Sequence, residues 1–167
     1  MKKGLLFAIV MVIMAAMVMS CASGGGSSDS GAAAAAGGAP IKLKAFKAKL
    51  VSGGGEGIRM EDGGNVGYWG HLDDKVQWTA DIPEEGDYVV SVQYSVAESF
   101  ANATVNVTVG DTVLEWKVLS TSTWSNYKNV DLGEVHLAAG SVPVEMQATA
   151  IANRFIANVK YLLLTKK

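Results

Sequence analysis

The sequence predicts an all-β protein, an antiparallel β-sandwich of the jelly-roll type, preceded by a signal peptide and a flexible linker. Two observations support the sandwich. After residue 40, runs of alternating apolar and polar residues follow one another, and turn-forming residues separate them. No segment in this part has the apolar spacing of an amphipathic helix. About nine or ten short strands are typical of a sandwich or a barrel, and we predict a jelly roll.

The first segment has the features of a secretory signal. Two lysines precede an almost unbroken apolar run, Gly4–Met19. The run ends in Val18-Met19-Ser20-Cys21, which resembles a bacterial lipobox. This resemblance implies lipidation of Cys21, the single cysteine of the chain, and stable anchoring by several acyl chains. Residues 1–20 are thus predicted to be a lipoprotein signal peptide, with a plain signal peptide and a retained anchor helix as alternatives.

The next segment has the composition of a tether. Residues 21–40 contain the cysteine followed mainly by Gly, Ser and Ala, with no apolar periodicity. They predict a flexible linker, and the folded domain then covers residues 41–167. In many Gram-negative bacteria, an aspartate after the lipidated cysteine is associated with inner-membrane retention. Ala22-Ser23 stands there instead, so the predicted location is the cell envelope, with the lipid anchor in the outer membrane.

The first half of the domain contains strands that end at turn signals. A triple glycine follows the first strand. Pro83 ends the later strand that precedes it, Lys75–Ile82, and Glu84-Glu85-Gly86 forms the turn after this proline. The predicted strands are Ile41–Val51, Gly57–Glu61, Asn65–Tyr68, Lys75–Ile82 and Asp87–Val96.

The second half continues the same pattern. Gly110-Asp111 predicts a tight hairpin, and Ala138-Ala139-Gly140-Ser141 a further turn. A polar loop, Ser120–Asn126, interrupts the alternation and contains Trp124. The predicted strands are Thr104–Val109, Thr112–Val118, Tyr127–Leu137, Val142–Thr149 and Arg154–Leu164.

No catalytic constellation is found in the sequence. The formal net charge of −2 gives no basic stripe for a nucleic acid. His71 and His136 have no cysteine or carboxylate at metal-ligand spacing in the sequence. Asp73-Asp74 and Glu84-Glu85 are neighbouring carboxylates in turns, and such pairs are usually solvated. We therefore predict that the protein is not an enzyme.

Aromatic residues outside the alternating pattern are the candidate binding residues. Trp78 and Trp116 alternate in phase with apolar neighbours, so they are predicted to be core residues. Tyr68 and Trp69 stand among glycines in the stretch Gly63–Gly70, and Trp124 lies in the polar loop. Rings on loops suit stacking against the apolar C–H face of a sugar. For Trp69, ligand contact and packing at the edge of a cleft both remain open.

Four segments, taken in order, resemble a family 6 carbohydrate-binding module, and families 35 and 36 share its fold. The resemblance extends from residue 41 to residue 164. The first segment is Gly63-Gly64-Asn65-Val66-Gly67-Tyr68, and the last is Asn158-Val159-Lys160-Tyr161-Leu162-Leu163-Leu164. Between them stand Val76–Pro83 with Gly86-Asp87-Tyr88, and Thr123–Tyr127 with Val135–Gly140.

The resemblance implies a jelly-roll, lectin-like fold without catalytic activity. It also implies a cleft at the loop end of the sandwich, where two aromatic rings hold a sugar between them. Tyr68 and Trp124 match the two ring positions, and Asn158 matches the amide that hydrogen-bonds the same sugar. Some members have a second site with a tryptophan where Lys75 stands here, so we expect no second site.

The family's calcium position is altered in this sequence. Members commonly hold a structural calcium with two carboxylates, and Phe46 and Lys160 stand at the corresponding positions. Because hard cations require oxygen ligands, we expect no cofactor and no metal.

These observations predict an envelope-anchored, lectin-like lipoprotein that binds carbohydrate. The expected ligand is a β-linked polysaccharide such as xylan or β-glucan, and the expected state is a monomer attached to the membrane by its lipid. The alternative is a structural or protein-binding envelope lipoprotein that reuses the fold. The two differ in whether Tyr68 and Trp124 face a common, open cleft.

Overall fold

The computed structural model describes residues 38–54 and 57–167. The predicted signal peptide, Cys21 and most of the predicted linker lie outside the described residues. No helix within the described ranges has the length and the apolar composition that a membrane span requires. The strands are β1 (Ile41–Lys44), β2 (Lys49–Val51), β3 (Arg59–Met60), β4 (Val66–Gly67), β5 (Lys75–Ile82), β6 (Gly86–Ser95), β7 (Thr104–Val109), β8 (Thr112–Lys117), β9 (Lys128–Leu137), β10 (Gly140–Ala150) and β11 (Asn158–Lys166).

These strands form two antiparallel sheets. The first has six strands, in the order β3-β4-β11-β6-β9, with β1 also paired to β11. The second has five strands, in the order β2-β5-β10-β7-β8. The prediction of an antiparallel β-sandwich is thus confirmed. Two predicted strands, Lys75–Ile82 and Thr104–Val109, have the observed bounds.

Strand alternation explains the core. In β5 and β7 every second side chain is buried, and these are the apolar ones. Trp78 of β5 and Trp116 of β8 are both buried in the core, as predicted, with 7% and 2% of their surface exposed. The Trp78 indole N–H donates to the Lys44 carbonyl oxygen at 3.0 Å. The Trp116 ring meets the Tyr94 ring edge-on, with 4.8 Å between centroids.

The first predicted strand, Ile41–Val51, is wrong as a single element. β1 pairs with β11 in the first sheet, whereas β2 pairs with β5 in the second. A 3₁₀ helix, Ala45–Lys47, carries the chain from one sheet to the other. Ala45 is completely buried at this crossing, so the chain bends where a small side chain can enter the core.

Candidate functional site

A tight hairpin between β3 and β4 forms one side of the site. Met60 pairs with Val66, and the Glu61 N–H donates to the Asn65 carbonyl oxygen at 2.9 Å. The Asn65 side-chain amide donates to the Glu61 carboxylate. Gly64 occupies the turn with φ +73, a left-handed conformation that favours glycine. The turn therefore fixes the Glu61 carboxylate beside β4.

Gly67 allows two polar side chains to converge. A Cβ atom at Gly67 would lie 2.6 Å from the Glu61 carboxylate and 3.0 Å from the Asn158 Oδ1. Both distances are shorter than normal contacts, so a larger residue at this position would displace one or both groups. Glycine at this position therefore lets a carboxylate and an amide approach the same space.

Tyr68 follows directly and has a strained backbone. Its φ is +55, which is unusual for a bulky residue and is found mainly where the surroundings enforce it. The residue is 36% exposed. Phe155 meets it edge-on at 5.7 Å between centroids, and the Arg59 guanidinium carbon lies 3.4 Å from the ring centre. The ring is thus held in place while part of it remains open to solvent.

The loop that carries Trp124 is tied to the end of β6. The Ser95 hydroxyl donates to the Trp124 carbonyl oxygen at 2.6 Å. Thr121 is fully buried and exchanges hydrogen bonds with the backbone of Val96. The Asn126 side-chain amide donates to the Thr121 carbonyl oxygen at 2.7 Å. These bonds fix the polar loop, and with it the position of the Trp124 ring.

Four rings join the two sides of the site, and we call them the aromatic wall. Trp124 contacts Phe100 at 5.2 Å between ring centroids, and Phe100 stacks near Phe155 at 6.1 Å. Phe155 in turn contacts Tyr68. Such contacts add to the hydrophobic burial of each ring and restrict its motion. The wall therefore connects loops that are distant in the sequence.

A cavity of about 210 Å³ lies against this wall. We refer to it as the cleft, and its lining residues are Glu61, Tyr68, Trp124, Phe155, Ala157 and Asn158. The structure thus brings together Tyr68, Trp124 and Asn158, as the sequence predicted. Apolar rings with a few polar groups are the usual lining of a small-molecule site. Here the rings can stack on a flat apolar face, and the amide and the carboxylate can bind hydroxyl groups.

Trp69 does not line the cleft, and the prediction that it contacts the ligand is wrong. Its side chain is completely buried in the core. Its carbonyl oxygen accepts a hydrogen bond from the Ile156 N–H at 2.9 Å, which fixes the backbone at this point. The left-handed turn at Tyr68 directs one ring outward and the next ring inward.

Asp74 is also not a solvated turn residue, contrary to expectation. It is completely buried and accepts three backbone hydrogen bonds. The donors are the N–H groups of Gly53 at 2.7 Å, Gly70 at 3.2 Å and His71 at 3.0 Å. The carboxylate therefore joins two loops beneath the segment that carries Tyr68.

Three lining residues, Glu61, Phe155 and Ala157, are not among the predicted site residues. Glu61 lies seven positions before Tyr68, and only the pairing of β3 with β4 brings it to the cleft. The glycine-rich turn between them was the available signal. Phe155 was assigned to the last strand, but that strand begins at Asn158, and Phe155 lies in the preceding loop.

The calcium position of the resembling family does not fit a cation here. Phe46 is 53% exposed, and the Lys160 ammonium lies 4.0 Å from the centre of the Tyr127 ring. Neither side chain offers an oxygen ligand. Among residues 38–54 and 57–167, no group of three or more His, Cys, Asp or Glu residues is arranged to hold a metal ion.

His136 lies in a cluster of surface charges. Its Nδ1 is 2.8 Å from Asp87 Oδ1, and its Nε2 is 3.5 Å from Glu85 Oε1. Hydrogen bonds to Asp87 and then to Glu85 raise the pKa of His136 above its usual value. The sequence spacing did not reveal these contacts, because β6 and β9 bring the residues together.

Comparisons with known proteins agree with this fold. The family model described as "Domain of unknown function (DUF5077)" matches residues 40–167. No curated protein sequence matches the chain. Among solved structures, a family 35 carbohydrate-binding module from Clostridium thermocellum is 20% identical, with a TM-score of 0.58 over 75% of this chain and 97% of that one.

Two family 6 modules are similar to the same extent. The C-terminal module of a laminarinase from Zobellia galactanivorans is 20% identical, with a TM-score of 0.59 over 77% of this chain and all of that one. A module of Cellvibrio mixtus lichenase 5A, solved with cellotriose, is 20% identical, with a TM-score of 0.55 over 75% of this chain and 96% of that one. At this identity the likeness establishes the fold, and the predicted resemblance to families 6 and 35 is confirmed at that level.

Proposed function

The chain belongs to the DUF5077 family, and we propose that this member binds carbohydrate without catalysing a reaction. The proposal rests mainly on one observation. Tyr68 and Trp124, from loops 56 positions apart, line one cleft together with Asn158. In the proposed complex the two rings stack on a sugar, and the Asn158 amide and the Glu61 carboxylate bind its hydroxyl groups.

The size of the cleft limits what it can hold. Sites for drug-sized ligands usually measure about 300–1,000 Å³, whereas this cavity measures about 210 Å³. We therefore propose that one sugar unit enters the cleft while the rest of the polymer remains outside. A β-linked polysaccharide such as xylan or β-glucan is the proposed ligand, and the cellotriose complex of a similar fold supports a β-glucan.

A binding role fits the chemistry of the cleft better than hydrolysis does. Glycoside hydrolysis commonly requires two carboxyl groups, about 5–10 Å apart, on either side of the bond. Of the described residues that line the cleft, only Glu61 is acidic, and it already accepts a hydrogen bond from Asn65. It is therefore suited to orienting a hydroxyl group.

The proposed location follows from the N-terminal sequence alone. Lipidation of Cys21 would attach the domain to the cell envelope, in the outer membrane, with residues 22–40 as a spacer. We propose that the protein acts there as a monomeric, lipid-anchored receptor for polysaccharide.

Replacement of Trp124 tests the function. We expect Trp124→Ala to weaken binding of the best polysaccharide at least about 30-fold, the effect of losing a contact of about 2 kcal/mol. Affinity electrophoresis on a polysaccharide panel measures this, and thermal unfolding checks that the variant is folded.

Leu119→Ala is the matched control. It removes an exposed apolar side chain, 58% accessible, from the segment that leads into the same loop, and we expect unchanged retardation. Equal retardation of the wild type and Trp124→Ala would reject this site. Absence of retardation for the wild type on every polysaccharide would favour a structural or protein-binding role instead.

A further inference from the structure

Two lysines on the outer face of the first sheet contact rings instead of carboxylates. The Lys42 ammonium lies 4.3 Å from the centre of the Tyr161 ring, and the Lys160 ammonium lies 4.0 Å from that of Tyr127. Neither lysine has a carboxylate partner among the residues that the structure describes. We call these four residues the lysine–tyrosine strip. Its two positive charges are not neutralised within the described domain.

Three other lysines of the same domain pair with carboxylates, whereas Lys44 and Lys47 lie farther from a ring, at 5.4 and 5.7 Å from the centre of Phe46. Lys75 contacts Glu145 at 2.9 Å, Lys166 contacts Glu84 at 2.5 Å, and Lys167 contacts Glu134 at 2.9 Å. The charges of the strip therefore differ from these in having only π-electron partners, which leave most of the cation's field available to a ligand.

The strip continues into a row of polar side chains across the sheet. Tyr161 pairs with Lys44 on one side and with Gln93 on the other, and Gln93 pairs with Asn129. The Tyr161 hydroxyl donates to the Asn129 amide oxygen at 3.4 Å. An ammonium, a ring and two amides thus lie side by side on four neighbouring strands. Ring faces and hydrogen-bonding groups in such a row suit a sugar polymer better than a lipid surface.

The strip begins where the cleft ends. Lys160 lies two positions after Asn158 on β11, and Tyr127 lies three positions after Trp124. Asn158 and Trp124 both line the cleft. A polymer with one unit in the cleft can therefore extend directly over the strip.

We propose that the lysine–tyrosine strip binds acidic units of a polysaccharide whose neutral unit occupies the cleft, an inference that rests on the proposed function. The Glu61 carboxylate lines the cleft and repels an acidic sugar there, whereas the Arg59 guanidinium lies against the Tyr68 ring and is not one of the lining residues. The two lysines favour a carboxylate or a sulfate immediately outside. Asp131 is the carboxylate in the next row of the sheet, paired with Ser91, and it makes no ion pair with either lysine. The ligand class is thus a polysaccharide that carries both neutral and acidic sugars.

Matched polymers test this inference. The probes are glucuronoxylan and its carboxyl-reduced form, and carboxymethylated and unmodified β-glucan. We expect the purified, unlipidated wild type to bind the acidic member of a pair roughly tenfold more tightly at low salt. The preference should fall as salt increases, because exposed charges are screened. Lys42→Gln combined with Lys160→Gln should remove the preference and leave the affinity for the neutral member unchanged.

A second double variant controls for net charge. Lys166→Gln combined with Lys167→Gln removes the same charge from lysines that are already paired, and it should keep the preference. Equal binding of both members by the wild type, or an undiminished preference in the Lys42/Lys160 variant, would overturn the inference while the proposed function stands. If Trp124→Ala loses binding to both the acidic and the neutral member of a pair, this supports the proposal that one polymer occupies the cleft and the strip together.

Two results would point elsewhere. Binding of anionic phosphatidylglycerol vesicles that depends on Lys42 and Lys160, without preference between the polymers, would make the strip a membrane contact and overturn the inference. Absence of binding to all four polymers would reject the proposed function together with the inference.

Discussion

The rings of the cleft and the tryptophans of the core have the same chemistry but lie in different kinds of segment. Trp78 and Trp116 are on strands, in phase with buried apolar neighbours, and both are buried. Tyr68 and Trp124 are on loops, and the structure leaves part of each ring accessible. The two strand tryptophans are therefore packing residues, whereas both rings of the cleft lie on loops.

Trp69 and Tyr68 are neighbours in the sequence but differ in burial. Trp69 is fully buried, whereas Tyr68 is 36% exposed and has a positive φ. Both are loop residues, so position on a loop is not sufficient for exposure. The backbone conformation at Tyr68 decides which ring faces the cleft.

The largest effect on stability is expected at Trp69. Trp69→Ala removes a completely buried ring, and we expect a loss of about 3–5 kcal/mol in the free energy of unfolding. Chemical denaturation measures this loss. The folded protein should still bind its polysaccharide, because Trp69 does not line the cleft.

Trp124→Ala is the reciprocal control for that variant. Its ring is only partly buried, so we expect it to lose less than about half as much stability while it loses binding. A Trp69→Ala protein that is fully stable and fails to bind would contradict the division between core and cleft.

A smaller effect on stability is expected at Tyr68. Tyr68→Gly removes the backbone strain of a positive φ but also the contacts with Arg59 and Phe155. Because these effects oppose each other, we expect stability to change by less than about 1 kcal/mol. Binding should fall at least about 30-fold, because one ring of the proposed pair is lost.

Tyr68→Phe keeps the ring and is the control for both the stability and the binding of Tyr68→Gly. We expect it to bind and to unfold like the wild type, as measured by affinity electrophoresis and by chemical denaturation. A loss of more than about 2 kcal/mol in Tyr68→Gly would mean that the ring serves mainly to pack the hairpin against Phe155.

Much of the fold could be predicted because strand alternation is a local signal. β5 and β7 have the predicted bounds, since each buries every second side chain. The division of Ile41–Val51 could not be predicted in this way. Its two halves pair with β11 and β5, which lie far along the chain, and only the assembled core requires the bend at Ala45.

Part of the candidate site could also be predicted, because three of its residues lie in segments with a recognisable sequence. Tyr68, Trp124 and Asn158 stand in segments that resemble a known family, and the structure places all three around one cavity. Glu61 and Phe155 reach the cavity only through the short β3–β4 pairing and the loop before β11. Asp74 was missed because its three backbone donors belong to two separate loops.

A sugar that binds between Tyr68 and Trp124 would change the surroundings of one indole among the four tryptophans of the chain. Each indole N–H gives one signal in a two-dimensional ¹H–¹⁵N NMR spectrum. On titration with the best oligosaccharide, we predict that the Trp124 indole and the Asn158 side-chain amide shift most, while the indoles of the three buried tryptophans remain nearly unchanged. An unchanged Trp124 signal at saturating oligosaccharide, with larger shifts elsewhere, would contradict binding of the sugar between Tyr68 and Trp124.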